Sequence, residues 1–307
     1  QERDDLMKYR YLDWKIESSP GNPGDNAVGI LTLNRPEHSN AIGPRLTMEL
    51  HQMMDEIRYS QARVVIITGA GGNFCGGGDL QVETIPKEDQ DDDFSDEHGL
   101  GGEYGEMLVW FANDHFHIVA QRMCRKLEDL PQVTIAAVDG IAVGIGIEMA
   151  ISCDLRICSD KVRFAEIAVP AGFMSEWSAP RSLPALVGQT MANEMILTGR
   201  FVFADEAKQI GLVNKVVEPA KLLDEAREWA GRMASYPPLG LRYAKETIRL
   251  YQNQNRLANH GETEMERIFE ITRTKDCAEG ISAFLDKRAP VYHDGYPVDK
   301  RAEWHKK

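Results

Sequence analysis

Asn73-Phe74-Cys75-Gly76-Gly77-Gly78-Asp79-Leu80 and Gly140-Ile141-Ala142-Val143-Gly144-Ile145-Gly146-Ile147-Glu148 are two glycine-rich turns about sixty residues apart in the chain. Each follows a short apolar run of strand character, Val64-Val65-Ile66-Ile67-Thr68 and Val133-Thr134-Ile135-Ala136-Ala137-Val138, and the second leads directly into a helical pattern. Glycine lets the main chain approach a ligand without a Cβ in the way, and the N–H groups at a helix start have no intrahelical acceptor. Such turns can therefore hold a negatively charged oxygen, and one amide from each of two turns makes an oxyanion hole. Taken singly, either turn reads equally well as plain strand-to-helix turn chemistry.

Working outward, the first part of the chain alternates strand and helix. Strands are expected at Tyr11 to Ile16, Ala27 to Leu33 and Val64 to Thr68, with a helix from about Pro44 to Arg58. After the second turn come a helix carrying Glu148, a strand from Leu155 to Cys158, and a helix around Arg181 to Leu197. From Ala204 onward the pattern is helical almost throughout, with amphipathic stretches at Ala220 to Ala234, Leu239 to Tyr251, Glu262 to Thr272 and Asp276 to Lys287. The expected class is α/β, divided into a core over residues 1–203 and a helical region over 204–307. Residues 86–106, PKEDQDDDFSDEHGLGGEYGE, interrupt the core with acid and glycine and read as a solvated loop or as a lid.

The 307 residues, 43% of them hydrophobic, suffice for a full core. A formal charge of −13 with dispersed Lys and Arg argues against a nucleic-acid or anionic-membrane surface, because phosphate backbones are bound by neutralising them. No apolar run of about eighteen residues suggests a membrane span, and no signal peptide is visible. The five cysteines include no CxxC pair, which fits reduced thiols of a cytoplasmic protein and offers no metal site.

Four further segments occur in one order with the two turns: Asn34-Arg35-Pro36-Glu37-His38-Ser39-Asn40-Ala41, Thr68-Gly69-Ala70-Gly71-Gly72, Glu148 to Cys153-Asp154-Leu155, and Ala283-Phe284-Leu285-Asp286-Lys287-Arg288. That ordered set, from about residue 10 to residue 290, resembles the crotonase (enoyl-CoA hydratase/isomerase) superfamily. The resemblance implies a spiral of repeated ββα units, a helical C-terminal region that drives assembly into a homotrimer or a dimer of trimers, and an acyl-coenzyme A thioester as substrate. No tightly bound cofactor is implied; coenzyme A enters as part of the substrate. It further implies that the thioester oxygen is held by the N–H groups of Gly78 and Ile145, the latter a departure, since glycine is usual there. The insert at 86–106 is longer than family members generally carry and points to a bulky or ring-containing acyl group.

Hydratases of the family flank a water with two glutamates. Glu148 matches the first. The second would fall within Phe164-Ala165-Glu166-Ile167-Ala168-Val169-Pro170, where this chain has Ala168. Two acids are close by. Glu176, in Gly172-Phe173-Met174-Ser175-Glu176-Trp177-Ser178, falls where dienoyl-CoA isomerases of the superfamily carry an acidic residue, and its aromatic neighbours would desolvate it. It is the favoured second acid. Glu166 lies two residues before Ala168 and shares its face if the segment is extended, but it could equally pair with Arg163 or Arg156. Asp154 reads as structural, and His115 and His117, at i and i+2, do not share a helix face. For coenzyme A the resemblance implies Ala41 with the Glu37 to Asn40 turn, and Lys287.

Hydration of a 2-enoyl thioester, double-bond isomerisation and C–C bond hydrolysis of a β-dicarbonyl share the enolate intermediate, and are expected in that order. Loss of the second glutamate leaves a non-catalytic assembly protein as a reading of another class.

Overall fold

The computed structural model describes residues 9–18, 27–79, 122–171, 174, 175, 177–253 and, near the C-terminus, 275, 276, 279, 283 and 286–291. The insert at 86–106, His115, His117 and Glu176 lie outside the described residues.

Six strands form the main sheet: β1 (Leu12–Ser18), β2 (Ala27–Leu33), β3 (Ala62–Gly69), β4 (Val133–Val138), β6 (Leu155–Ser159) and β9 (Lys215–Val217), side by side in that order. β1 runs antiparallel to β2, and every other pair is parallel. Three short strands, β5 (Ile141–Val143), β7 (Arg163–Ala165) and β8 (Val202–Phe203), make a second sheet in the order β5, β7, β8. Among the described residues the helices include α1 (Pro44–Arg58), α2 (Ile145–Ser152), α3 (Ala179–Val187), α4 (Gln189–Thr198), α5 (Ala204–Gln209), α6 (Leu222–Ala234) and α7 (Pro238–Asn253), and residues 122–128 are also helical.

A parallel sheet is covered on both faces, which is why Val64-Val65-Ile66-Ile67 and Ile135-Ala136-Ala137-Val138 are apolar without alternation. Alternation survives in where the side chains go. Val65, Ile67, Ala136 and Val138 join one core with Leu46, Leu50, Met53, Met54 and Ile57 of α1 and with Ile147 and Met149 of α2. Val64, Ile66, Ile135 and Ala137 point the other way, onto Leu222, Ala226, Ala230 and Ala234 of α6. Those α6 residues recur every four positions and three are alanine, so one small-residue stripe lies flat on the sheet. The helical region after Ala204 thus supplies both a strand, β9, and a covering helix to the core.

The segment expected as one helix from Arg181 to Leu197 is two, because Gly188 takes φ +80° and its N–H caps α3 on the Pro184 carbonyl. The Leu155 strand begins at the Asp154 carboxylate, where Oδ2 accepts the Thr134 N–H at 2.8 Å and the Thr134 hydroxyl at 3.0 Å. Lys245 and Arg249 of α7 reach the same carboxylate at 2.8 Å each. Asp154 therefore joins β4, β6 and α7, in keeping with its structural reading.

Candidate active site

The two glycine turns are hydrogen-bonded to each other. Cys75 bridges Ala142 in parallel: the Cys75 N–H donates to the Ile141 carbonyl at 3.0 Å and the Val143 N–H donates to the Cys75 carbonyl at 3.1 Å. Contact is close enough to require glycine. A Cβ on Gly146 would stand 2.3 Å from the Cys75 carbonyl oxygen, and Gly77, at φ +104°, would put one 3.0 Å from that of Val143. On its other side the first turn pairs with Ile42, whose N–H donates to Gly77 and whose carbonyl accepts from Asp79. In a parallel bridge of that register Gly78 turns its own N–H away from Ile42.

Ile145, the second candidate donor, sits at the start of α2. Gly144 is the N-cap, at φ +52° and ψ −120°, with its N–H on the Ala165 carbonyl at 2.9 Å and open space where a Cβ would project. Ile145 follows as the first helical residue, and its φ is not among the positive values. The unusual backbone thus falls on Gly144, and Ile145 presents its N–H from an ordinary helical conformation that tolerates a side chain.

Glu148 lies in the first turn of α2 and is 3% exposed. Its carboxylate Oε1 accepts the Ala179 N–H at 3.2 Å, and its main-chain carbonyl accepts the Ser178 hydroxyl at 2.8 Å. The start of α3 therefore fixes both the backbone and the side chain of this acid. The helix N-terminus it occupies also favours its negative charge.

Between β7 and α3 the chain is extended only to Ala165 and turns from Ala168 to Ala171. Ala168, at the expected position of a second glutamate, brings no carboxylate. Glu166 is not a surface partner of Arg163 or Arg156. It is 1% exposed, Oε1 accepts the Ala168 N–H at 3.4 Å, and Oε2 has no hydrogen-bond partner. Burial pushes this carboxyl above its ordinary range. Arg156 instead donates to the carbonyls of Leu212 and Cys153, both at 2.7 Å.

Ala41 is partly exposed in the turn after β2, and its carbonyl accepts from Arg35 at 3.2 Å. Ser39 and Asn40 there take φ of 51° and 57°. Lys287 is exposed, with φ 53°, and among the described residues no hydrogen bond or ion pair joins it to that turn. Sequence reasoning missed two residues that shape the site. Arg35 is buried and donates to the Asp79 carboxylate at 2.5 Å, tying down the neighbour of Gly78. Asn40 is fully buried and donates to the carbonyls of Ala70 and Asn73 while accepting from the Arg35 N–H. Both lay inside the quoted Asn34 to Ala41 motif, whose polar residues are the one hint of this role.

Four buried cysteines are free thiols. Burial pushes Cys75, beside the glycine turns, up to about 12, which removes it as a nucleophile at neutral pH. Among the described residues no cluster could hold a metal ion, and no helix is long and apolar enough to cross a membrane.

Paired glycine turns with a helix N-terminus and a buried carboxylate are the class of arrangement that can stabilise an oxyanion beside a proton-transfer group. Comparison with known proteins gives that class its family. The description "Enoyl-CoA hydratase/isomerase" matches residues 24–101 and 94–295. The chain is 34% identical over 266 residues to a short-chain-enoyl-CoA hydratase of Clostridium acetobutylicum, covering 86% of this chain and 93% of the relative. It is 33% identical over 270 residues to an (E)-benzylidenesuccinyl-CoA hydratase of Thauera aromatica, covering 87% and 96%. An enoyl-CoA hydratase structure from Bacillus anthracis superimposes with a TM-score of 0.76 at 30% identity, over 92% of this chain and 99% of that one. The chain belongs to the enoyl-CoA hydratase/isomerase family, with the crotonase fold, and is an enzyme of that type.

Proposed function

We propose that the chain adds water to, or shifts the double bond of, an enoyl-CoA thioester through an enolate held by the N–H groups of Gly78 and Ile145. The observation that supports this reading is the direct bridge between the two glycine turns, one of which runs into the helix of Glu148. Polarising the thioester carbonyl puts negative charge on its oxygen and acidity on the neighbouring carbons. Glu148, held by Ala179, then moves a proton to or from the reacting carbons or water. Glu176 remains the second acid that the sequence favours. The Ala41 turn and Lys287 are proposed to take the coenzyme, in a homotrimer or dimer of trimers in the cytoplasm. A ring-containing acyl group is supported by the long insert and by the name of the Thauera relative.

The test is turnover of a panel of 2-enoyl, 3-enoyl and cyclic β-keto acyl-CoA thioesters by the wild type and by Glu148→Gln. Turnover of an enoyl thioester with a loss of about a hundredfold or more in the variant bears the reading out. Turnover of the β-keto thioester alone means C–C hydrolysis. The Ala168 substitution favours a non-catalytic protein as the second reading, and coenzyme A binding with no turnover would install it.

A further inference from the structure

Resting on the enolate and the Glu148 role of that reading, but replacing Glu176 in it, we propose that Glu166, with Ser175 beside it, is the second proton-transfer residue of the acyl site and substitutes for the carboxylate that Ala168 lacks. Oε1 of Glu166 accepts the Ala168 N–H at 3.4 Å, so the side chain folds forward along the chain toward residue 168.

The polar atoms there are not consumed by the fold. Glu166 Oε2 and Ser175 Oγ are both buried and both lack a hydrogen-bond partner. The Ser175 hydroxyl lies beside the carboxyl and favours its ionised form, although the two make no well-aligned hydrogen bond. Buried polar atoms of this kind are uncommon, since each forfeits hydration, and two together mark a place prepared for a third group. Their segment is also fixed to the site at both ends. Glu166 directly follows Ala165, whose carbonyl holds the Gly144 N–H, and Ser178 and Ala179 bind Glu148.

Burial raises the pKa of the Glu166 carboxyl, while the Ala168 N–H and the Ser175 hydroxyl act on it in the opposite sense. The net rise favours a protonated acid, the form that can donate. In hydration, the Glu148 carboxylate takes a proton from water as the water oxygen bonds to C3. The C2–C3 π electrons move onto the thioester oxygen at Gly78 and Ile145. As the enolate collapses, C2 takes the Glu166 proton and leaves a carboxylate. One water has been added; Glu148 returns its proton to solvent and Glu166 regains one.

The experiment measures kcat, KM and thermal stability of the full chain against pH, on whichever enoyl-CoA the wild type turns over, for Glu166→Gln, Ser175→Ala and Glu176→Gln. Glu166→Gln is expected to lower kcat about a hundredfold or more at nearly constant KM and to abolish the fall in kcat at high pH that deprotonation of an acid causes. Ser175→Ala should move that fall to higher pH, because the hydroxyl that favours the carboxylate is gone, and this decides the matter if Glu166→Gln does not fold. The proposal is overturned if Glu166→Gln keeps kcat and the high-pH limb, or if Glu176→Gln removes that limb. In either case a Glu148→Gln variant that remains inactive leaves the enoyl-CoA reading standing. A wild type without turnover overturns both.

Discussion

The Arg35 guanidinium meets the Asp79 carboxylate at 2.5 Å in the interior, with the two side chains 3% and 7% exposed. Arg35 also stacks on the Tyr11 ring, 5.2 Å from its centroid. The pair links the loop after β2 to the residue that follows Gly78. Asp79→Asn leaves the arginine charge without its counter-ion and should cost about 3–5 kcal/mol, measured by chemical denaturation. Turnover should fall with it, because the Gly78 amide loses its anchor. Arg35→Met combined with Asp79→Leu should recover most of the stability.

In the proposed oxyanion hole Ile145 acts through its main chain alone, and its φ is not positive. Ile145→Gly should therefore hold kcat within about threefold, whereas Ile145→Pro removes the N–H and should lower kcat by about 10²–10³, the usual cost of one oxyanion donor. Proline is acceptable at the first position of a helix, so thermal stability should change little for this variant. Equal activity of the two variants would exclude the Ile145 amide from the oxyanion hole.

Gly146→Ala tests the contact between the turns. The new methyl would sit 2.3 Å from the Cys75 carbonyl oxygen, a main-chain atom that cannot step aside alone. We expect a loss of about 1–3 kcal/mol in stability, with a larger proportional loss in kcat than in coenzyme A affinity. Isothermal titration with coenzyme A, alongside steady-state kinetics, separates the two.

The glycine turns were readable in sequence because their geometry demands glycine. The α1 and β2 boundaries were readable because Pro44 and the Ala27 to Leu33 run mark them plainly. The division between α3 and α4 was hidden, since the apolar pattern continues across Gly188. The strands β5, β7, β8 and β9 have three residues or fewer, too short for any period to declare itself. At the site, residue types were legible and their states were not. That Glu166 is buried with a free oxygen, rather than paired with Arg156, depends on how Arg156 is drawn to Leu212 across 56 positions of sequence.

Acid should weaken the junction at Asp154. Burial by itself would raise its pKa, but Lys245 and Arg249 outweigh that and hold it below the ordinary value. A folded pKa below the unfolded one, about 3.9, stabilises the protein above that pH, and the contribution disappears as pH falls through the folded value. Asp154→Asn should cost about 3–5 kcal/mol at pH 6, and the gap from wild type should narrow below about pH 4. Urea denaturation at both pH values reads it.

In sequence, Glu166 to Ser178 lie between two fixed posts, the Gly144 to Ala165 hydrogen bond at one end and the Ser178 and Ala179 contacts with Glu148 at the other. The interior of this strip can therefore be rewritten in composition while the base and the second turn keep their positions. We expect substrate range to follow that strip; grafting it from a relative with the glycine turns left untouched, and comparing kcat/KM across the acyl-CoA panel, would test this.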